Sequence, residues 1–179
     1  YSPTTGYPLY NKYTRMLIYG NCKNLDKISI AQTPGGTGGL RVGFEFLRRI
    51  VKKNIKVYVS DPTYANHKNI IKSAGFTNNR IKEYPYWDRK KRCYKFNDMV
   101  KFLNKIPSGS IVLYQMCGHN PTGTDPSREQ WKILAKITKQ KKLIAVFDAA
   151  YQGFISGDYV KDAYPLRLFN KLNISLLVG

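Results

Sequence analysis

Acidic side chains are scarce in this chain. Eleven Asp plus Glu stand against 30 Lys plus Arg, giving a formal net charge of +19 over 179 residues. Cysteine is scarcer still. Cys22, Cys93 and Cys117 are widely spaced, with no Cys-x-x-Cys pair, which argues against a disulfide framework. A reducing compartment follows as the expectation: cytoplasmic, with mitochondrial as the alternative. Histidine occurs twice, as His67 and His119. Cys117 lies close to His119, but no second cluster completes a zinc site, so no metal is expected. Long apolar runs are absent too. The longest uncharged stretch, Ile106 to Thr124, is interrupted by Pro107, Gly109, Gly118, Asn120, Pro121 and Gly123, whereas a membrane span needs about 20 mostly apolar residues. The opening Tyr1-Ser2-Pro3-Thr4-Thr5-Gly6 has neither an initiator Met nor a signal-peptide pattern, and the chain is expected to be an excerpt.

The aromatic content is high. Fourteen Tyr, eight Phe and a hydrophobic fraction of 42% argue against disorder and supply a real core. The positive charge concentrates in Arg48, Arg49, Lys52, Lys53 and Lys56, then in Arg89, Lys90, Lys91, Arg92 and Lys95. It fits a solvated basic surface, a nucleic-acid footprint or an anionic ligand. No helix-turn-helix, zinc-finger or RNP-type motif accompanies it.

Short β-branched runs alternate with helical stretches. Residues 56–60, 80–84, 110–115, 143–147 and 173–178 read as strands. One helix follows the glycines, with Leu40, Phe44, Leu47 and Val51 on one face. A second runs from about Tyr64 to Ala74 and stops at Gly75. A third starts near Asn97 as N-cap. A fourth starts at Ser127, which has the capping-box partner Gln130. The pattern indicates an α/β fold: a three-layer α/β/α arrangement with a mostly parallel sheet, ending on its last strand.

Three motifs carry chemistry. Gln32 through Leu40, with Gly35, Gly36, Thr37, Gly38 and Gly39, runs straight into a helix. Such a helix start favours an anion, although a simple turn is the plainer reading. Cys117-Gly118-His119-Asn120-Pro121-Thr122-Gly123 follows a strand's carboxyl end, where open α/β sheets place ligands, and Asn-Pro also makes tight turns. Asp148 directly follows an apolar strand and needs a partner there, unless it is a helix N-cap.

Together these motifs resemble the class I aminotransferases of the pyridoxal-phosphate fold type I. The core is Asn120-Pro121-Thr122-Gly123, with Asp148 25 residues beyond Gly123 and then Tyr151. Longer strings are similar to aspartate aminotransferases: Gly36 through Arg41, Asn66 through Ile70, His119 through Gly123 with Asp125-Pro126 and Glu129-Gln130-Trp131, and Asp148 through Phe154 with Ser156-Gly157-Asp158. Tyr1-Ser2-Pro3 with Gly6 fits as well. The resemblance covers essentially the whole chain and implies that residues 1–179 form part of a cofactor-binding large domain, without the small domain. It implies pyridoxal 5'-phosphate as cofactor. Gly36 and Thr37 would meet its phosphate, Asp148 its protonated ring nitrogen, and Asn120 and Tyr151 its phenolic oxygen. Tyr64 stands where the family usually stacks a Trp. Tyr64 and Asn120 would also face the substrate, and Tyr1 would reach the phosphate of a neighbouring subunit in a homodimer.

The departures are specific. Gln115 stands where many relatives have a His. The lysine that carries the cofactor in the family would follow the last strand, beyond Gly179, as would the arginines that bind substrate carboxylates. The implied activity is transamination between aspartate and 2-oxoglutarate, giving oxaloacetate and glutamate, by a protein with no membrane partner. Aromatic or other amino acids are the alternative substrates. A basic nucleic-acid-binding α/β domain is the rival from another class.

Overall fold

A computed structural model describes residues 1, 3–22 and 24–179. In chain order the elements are α1 (Pro8–Tyr19), α2 (Gly35–Ile50), β1 (Val57–Asp61), α3 (His67–Ser73), β2 (Ile81–Pro85), β3 (Trp87–Asp88), β4 (Cys93–Tyr94), α4 (Phe96–Lys105), β5 (Ile111–Gln115), α5 (Arg128–Gln140), β6 (Ile144–Asp148), α6 (Tyr159–Asp162), α7 (Tyr164–Lys171) and β7 (Leu176–Val178). Five strands form one sheet in the order β2-β1-β5-β6-β7, and every pairing is parallel. The central strand β5 is buried along its whole length, as expected for a parallel strand covered on both faces.

Side-chain alternation sorts the strands into two cores. Tyr58, Val112, Tyr114, Ala145 and Phe147 point to one face, where they meet Met99 and Leu103 of α4, Trp131 and Leu134 of α5, and Leu166 and Phe169 of α7. Phe147 and Phe169 pack edge to face with ring centroids 5.0 Å apart. Val57, Val59, Ile111, Leu113 and Val146 point to the other face, against Leu40, Phe44 and Leu47 of α2 and Ile70 and Ile71 of α3. The expected three-layer α/β/α architecture is therefore present. From β1 the chain steps outward to β2, then returns to lay β5 on the opposite side of β1. In open α/β sheets such a reversal leaves a crevice at the carboxyl ends of the two strands, here β1 and β5, and that is where ligands bind.

Several expected boundaries shift. The helix anticipated from an Asn97 cap begins at Phe96 with Lys95 as N-cap, because no side chain caps this end. The last strand shrinks to three residues, since Asn173 takes a positive φ of 54° and turns the chain before it. At Ser127 the capping box is complete: the serine hydroxyl accepts from the Gln130 N–H, and the Gln130 side chain accepts from the Ser127 N–H. Arg89 through Arg92 form the tip of the β3–β4 hairpin, pinned by Lys90 and Lys91 N–H groups donating to Asp88. This tip follows the carboxyl end of β2, whereas Arg48 to Lys53 lie at the amino end of β1. The two basic segments thus sit at opposite ends of the sheet and make no single stripe.

Truncating Phe169 to Ala removes a ring with no exposed surface from the larger core and should cost about 3–5 kcal/mol. Phe154, 85% exposed, should tolerate the same change within about 0.5 kcal/mol. Urea unfolding of the two variants checks the contrast; equal midpoints would contradict the core assignment.

Candidate functional site

Asp148 closes β6 with its side chain on the α2–α3 face, two residues beyond Val146 in the alternation. A carboxylate at the edge of an apolar core needs a partner, and His67 supplies one. His67 Nε2 lies 2.9 Å from Asp148 Oδ2, and His67 Nδ1 lies 2.7 Å from the Thr63 hydroxyl. The neutral tautomer that suits both carries its proton on Nε2 and accepts from Thr63 at Nδ1. The His67 ring is fully buried, while Asp148 keeps 13% of its side chain exposed. Tyr64 stands edge-on above His67, with centroids 5.3 Å apart, and its ring is partly open to solvent. The N-cap reading of Asp148 fails, because a turn rather than a helix follows it; among the described residues its second oxygen accepts only from the Ala150 N–H at 3.3 Å.

The second strand end contributes the turn 116–123. Asp125 accepts from the N–H groups of Gly118 at 2.7 Å and His119 at 2.9 Å. His119 is stacked on Tyr86 at 3.7 Å, and its two nitrogens meet Thr122 and Ser60, each at 2.9 Å. Burial lowers its pKa to about 4, against a smaller opposing backbone hydrogen bond. Both ring nitrogens are therefore committed, and burial pushes the Cys117 thiol up to about 12, with Asp162, Asp125 and Asp148 adding to the effect. No group of three or more His, Cys, Asp or Glu side chains is arranged to hold a metal among the described residues. The Asn120 side-chain amide has no partner among the described residues and is half-buried.

Tyr151 lies over this turn: a Cβ on Gly118 would come within 3.1 Å of its ring. The loop carrying Tyr151 winds around the buried Asp162, whose carboxylate accepts from Gly153, Ile155 and Ser156 N–H groups and from the Ser156 hydroxyl. Burial alone would raise the Asp162 pKa, but these four donors outweigh it and hold the group below the ordinary carboxylate value.

The third contribution is the start of α2. Gly35, Gly36 and Thr37 are exposed in its first turn, Pro34 offers no capping side chain, and no acid occupies that turn. A Cβ at Gly35 or Gly36 would meet nothing within 4 Å, so there is open space beside this turn, and the first N–H groups of a helix have no intrahelical acceptor and carry the positive end of its dipole. Gly39 packs against Gly179, and Gly179 O accepts from Ala149 N–H at 3.0 Å. This chain of contacts ties the start of α2 to the residue after Asp148, on the same face of the sheet. Tyr1 stands fully exposed and joins none of these groups, and Ser2 of the same motif lies outside the described residues.

A family model for class I and II aminotransferases matches residues 1–178. The chain belongs to that family. Mitochondrial aspartate aminotransferase from Schizosaccharomyces pombe is 40% identical over 180 residues, covering 99% of this chain and 40% of that protein. Aspartate aminotransferase from Escherichia coli is 38% identical over 177 residues, 97% of this chain and 43% of the relative. Among solved aminotransferases, the broad specificity enzyme from Leishmania mexicana superposes with a TM-score of 0.96 at 37% identity, over 99% of this chain and 44% of its own. An aromatic amino acid aminotransferase from Burkholderia cenocepacia gives 0.93 at 35% identity, with 99% and 44% covered. The chain thus spans less than half the length of these aminotransferases.

Sequence reasoning quoted His67 and Asp125 within motifs but assigned them no role, and it overlooked Thr63 and Asp162. One signal was available. In so basic an aminotransferase chain, an acid a few residues from a candidate site residue has main-chain N–H groups to hold.

His119 stays neutral in the fold but ionises near its ordinary 6.5 when unfolded. The unfolded chain therefore binds more protons between pH 6.5 and about 4, and stability should fall across that window by on the order of 3 kcal/mol. His119→Gln should flatten the slope in urea midpoints measured from pH 7 to 4; an unchanged slope would assign it to other groups.

Proposed function

We propose that residues 1–179 are the cofactor-binding part of the large domain of an aspartate aminotransferase, a protein that moves the amino group of aspartate to 2-oxoglutarate and yields oxaloacetate and glutamate. The observation that carries this reading is the placement of Asp148, fixed by His67, on the same sheet face as the uncapped, acid-free start of α2. That pairing suits a group with an anionic end and a protonated aromatic nitrogen, as in pyridoxal 5'-phosphate. One of the similar structures, the aromatic-amino-acid aminotransferase from Burkholderia pseudomallei, is covalently bound to pyridoxal phosphate.

In this reading Gly36 and Thr37 donate N–H and hydroxyl groups to the phosphate. Asp148 keeps the ring nitrogen protonated, and His67 holds Asp148 in place for that task. Asn120 and Tyr151 donate to the phenolic oxygen. Tyr64 covers the ring face and, with Asn120, borders the space for the amino acid. The bound cofactor supplies an electron-poor ring that stabilises negative charge at the reacting carbon. Tyr1, exposed on this chain, would serve the phosphate site of a second copy in a homodimer. No helix among the described residues is long and apolar enough to cross a membrane. The compartment we propose is cytoplasmic, with small-molecule amino and 2-oxo acids as the partners. Aromatic amino acids are the second reading, favoured by the likeness to the B. cenocepacia enzyme.

The test is a coupled assay of the protein extended beyond Gly179, offering aspartate and phenylalanine as donors with 2-oxoglutarate as acceptor. Aspartate should be preferred, and Asp148→Ala should lower turnover about 10²- to 10³-fold, the scale of losing one preorganised electrostatic partner. Its stability should fall by only about 1–3 kcal/mol, the cost of leaving the buried His67 Nε2 without a partner. Residues 1–179 alone should bind pyridoxal 5'-phosphate weakly and turn over neither donor. A collapsed melt with unchanged turnover would reduce Asp148 to a structural group.

A further inference from the structure

Gln115 is the last residue of β5 and is buried. Its side chain makes both hydrogen bonds that a neighbouring strand would make to Asn120. The Asn120 N–H donates to Gln115 Oε1 at 2.8 Å, and Gln115 Nε2 donates to the Asn120 carbonyl at 3.0 Å. Only a group with a donor and an acceptor side by side satisfies both, and a primary amide is such a group. The side chain thus replaces a peptide and closes residues 115–120 into a ring.

The other anchors of this turn act elsewhere. Asp125 holds Gly118 and His119 by their N–H groups, while Ser60 and Thr122 hold the His119 ring. Among the described residues, Gln115 alone holds the main chain of Asn120, whose side chain has no partner of its own. Its direction is therefore set by the main chain beneath it. Gln115 is also the register partner of Asp148 across β5 and β6, so one rigid strand pair carries the support of both groups.

We propose that Gln115 is a positioning residue: it aims the Asn120 side chain into the crevice beside Asp148 by clamping the Asn120 main chain at both polar atoms. This rests on the reading of Asn120 as a cofactor contact. Its effect on affinity for the cofactor runs entirely through Asn120.

The test uses residues 1–179 with Gln115→Met, which keeps length and loses both bonds, and Gln115→Glu, which keeps the acceptor and loses the donor. Each is also combined with Asn120→Ala. Hydrogen exchange at the Asn120 amide, the dissociation constant of pyridoxal 5'-phosphate by absorbance titration, and thermal melts are measured. Gln115→Met should accelerate exchange at Asn120 and weaken binding about three- to tenfold, the scale of one or two neutral hydrogen bonds. Gln115→Glu should fall between Met and the parent. In the Asn120→Ala background, Gln115→Met should weaken binding no further, although it lowers the melting temperature as much as before.

Equal, additive losses of affinity in both backgrounds would overturn the positioning role and leave a structural one. So would an Asn120 amide that exchanges as slowly in Gln115→Met as in the parent. A parent chain that binds no pyridoxal 5'-phosphate overturns the cofactor reading and the positioning role with it. A parent that binds, beside a Gln115→Met that binds equally well, overturns the positioning role alone. Should Gln115→Met fail to fold, Gln115→Glu carries the same comparison.

Discussion

Everything in the crevice is arranged around one buried contact, the 2.9 Å pairing of Asp148 with His67. A carboxylate at the end of an apolar strand is unfavourable unless it is hydrogen-bonded. A fully buried imidazole is equally unfavourable unless both nitrogens find partners. Each solves the other's problem, and Thr63 completes the set. Three separate segments are joined in this way: the loop after β1, the start of α3 and the end of β6. Without that bond the crevice would have an uncommitted charge at its centre and no reason for α3 to begin where it does.

Two further acids extend the logic to the loops. Asp125 gathers the N–H groups of Gly118 and His119, and Asp162 gathers those of the segment after Tyr151. A loop beside a ligand site cannot pair its main chain with a strand, because a strand would fill the space the ligand needs. Carboxylates and the Gln115 amide do that pairing instead, in very little volume. The scarcity of acids in the whole chain makes these placements conspicuous.

The sheet was legible in the sequence because its strands announce themselves twice, by β-branched content and by the helices between them. Val57, Ile111 and Ile144 sit in register much as the five apolar runs suggest. What escaped was structure with weaker signals. The helix α1 fully buries only Asn11 and leaves Tyr10, Tyr13 and Leu17 exposed, so no core-facing stripe marks it. The β3–β4 hairpin has strands of two residues, too short to show alternation. In the crevice, motif residues such as Asn120 and Asp148 stood out by type and position. Their supports did not, because His67 acts over 81 residues of separation and no periodicity reports such a pairing.

The parallel register also governs which changes the chain tolerates over evolutionary time. Neighbouring side chains along a strand face opposite sides of a sheet, so inserting one residue within β6 would turn Asp148 toward α5 and α7. It would leave α3, His67 and the start of α2 behind on the far side, with the apolar content of the strand hardly altered. The basic hairpin between β3 and β4 has no such coupling and is free to lengthen, shorten or exchange its charges. Drift in this lineage is therefore expected to accumulate as changes of surface composition and loop length, while the residue count of β5 and β6 stays constant.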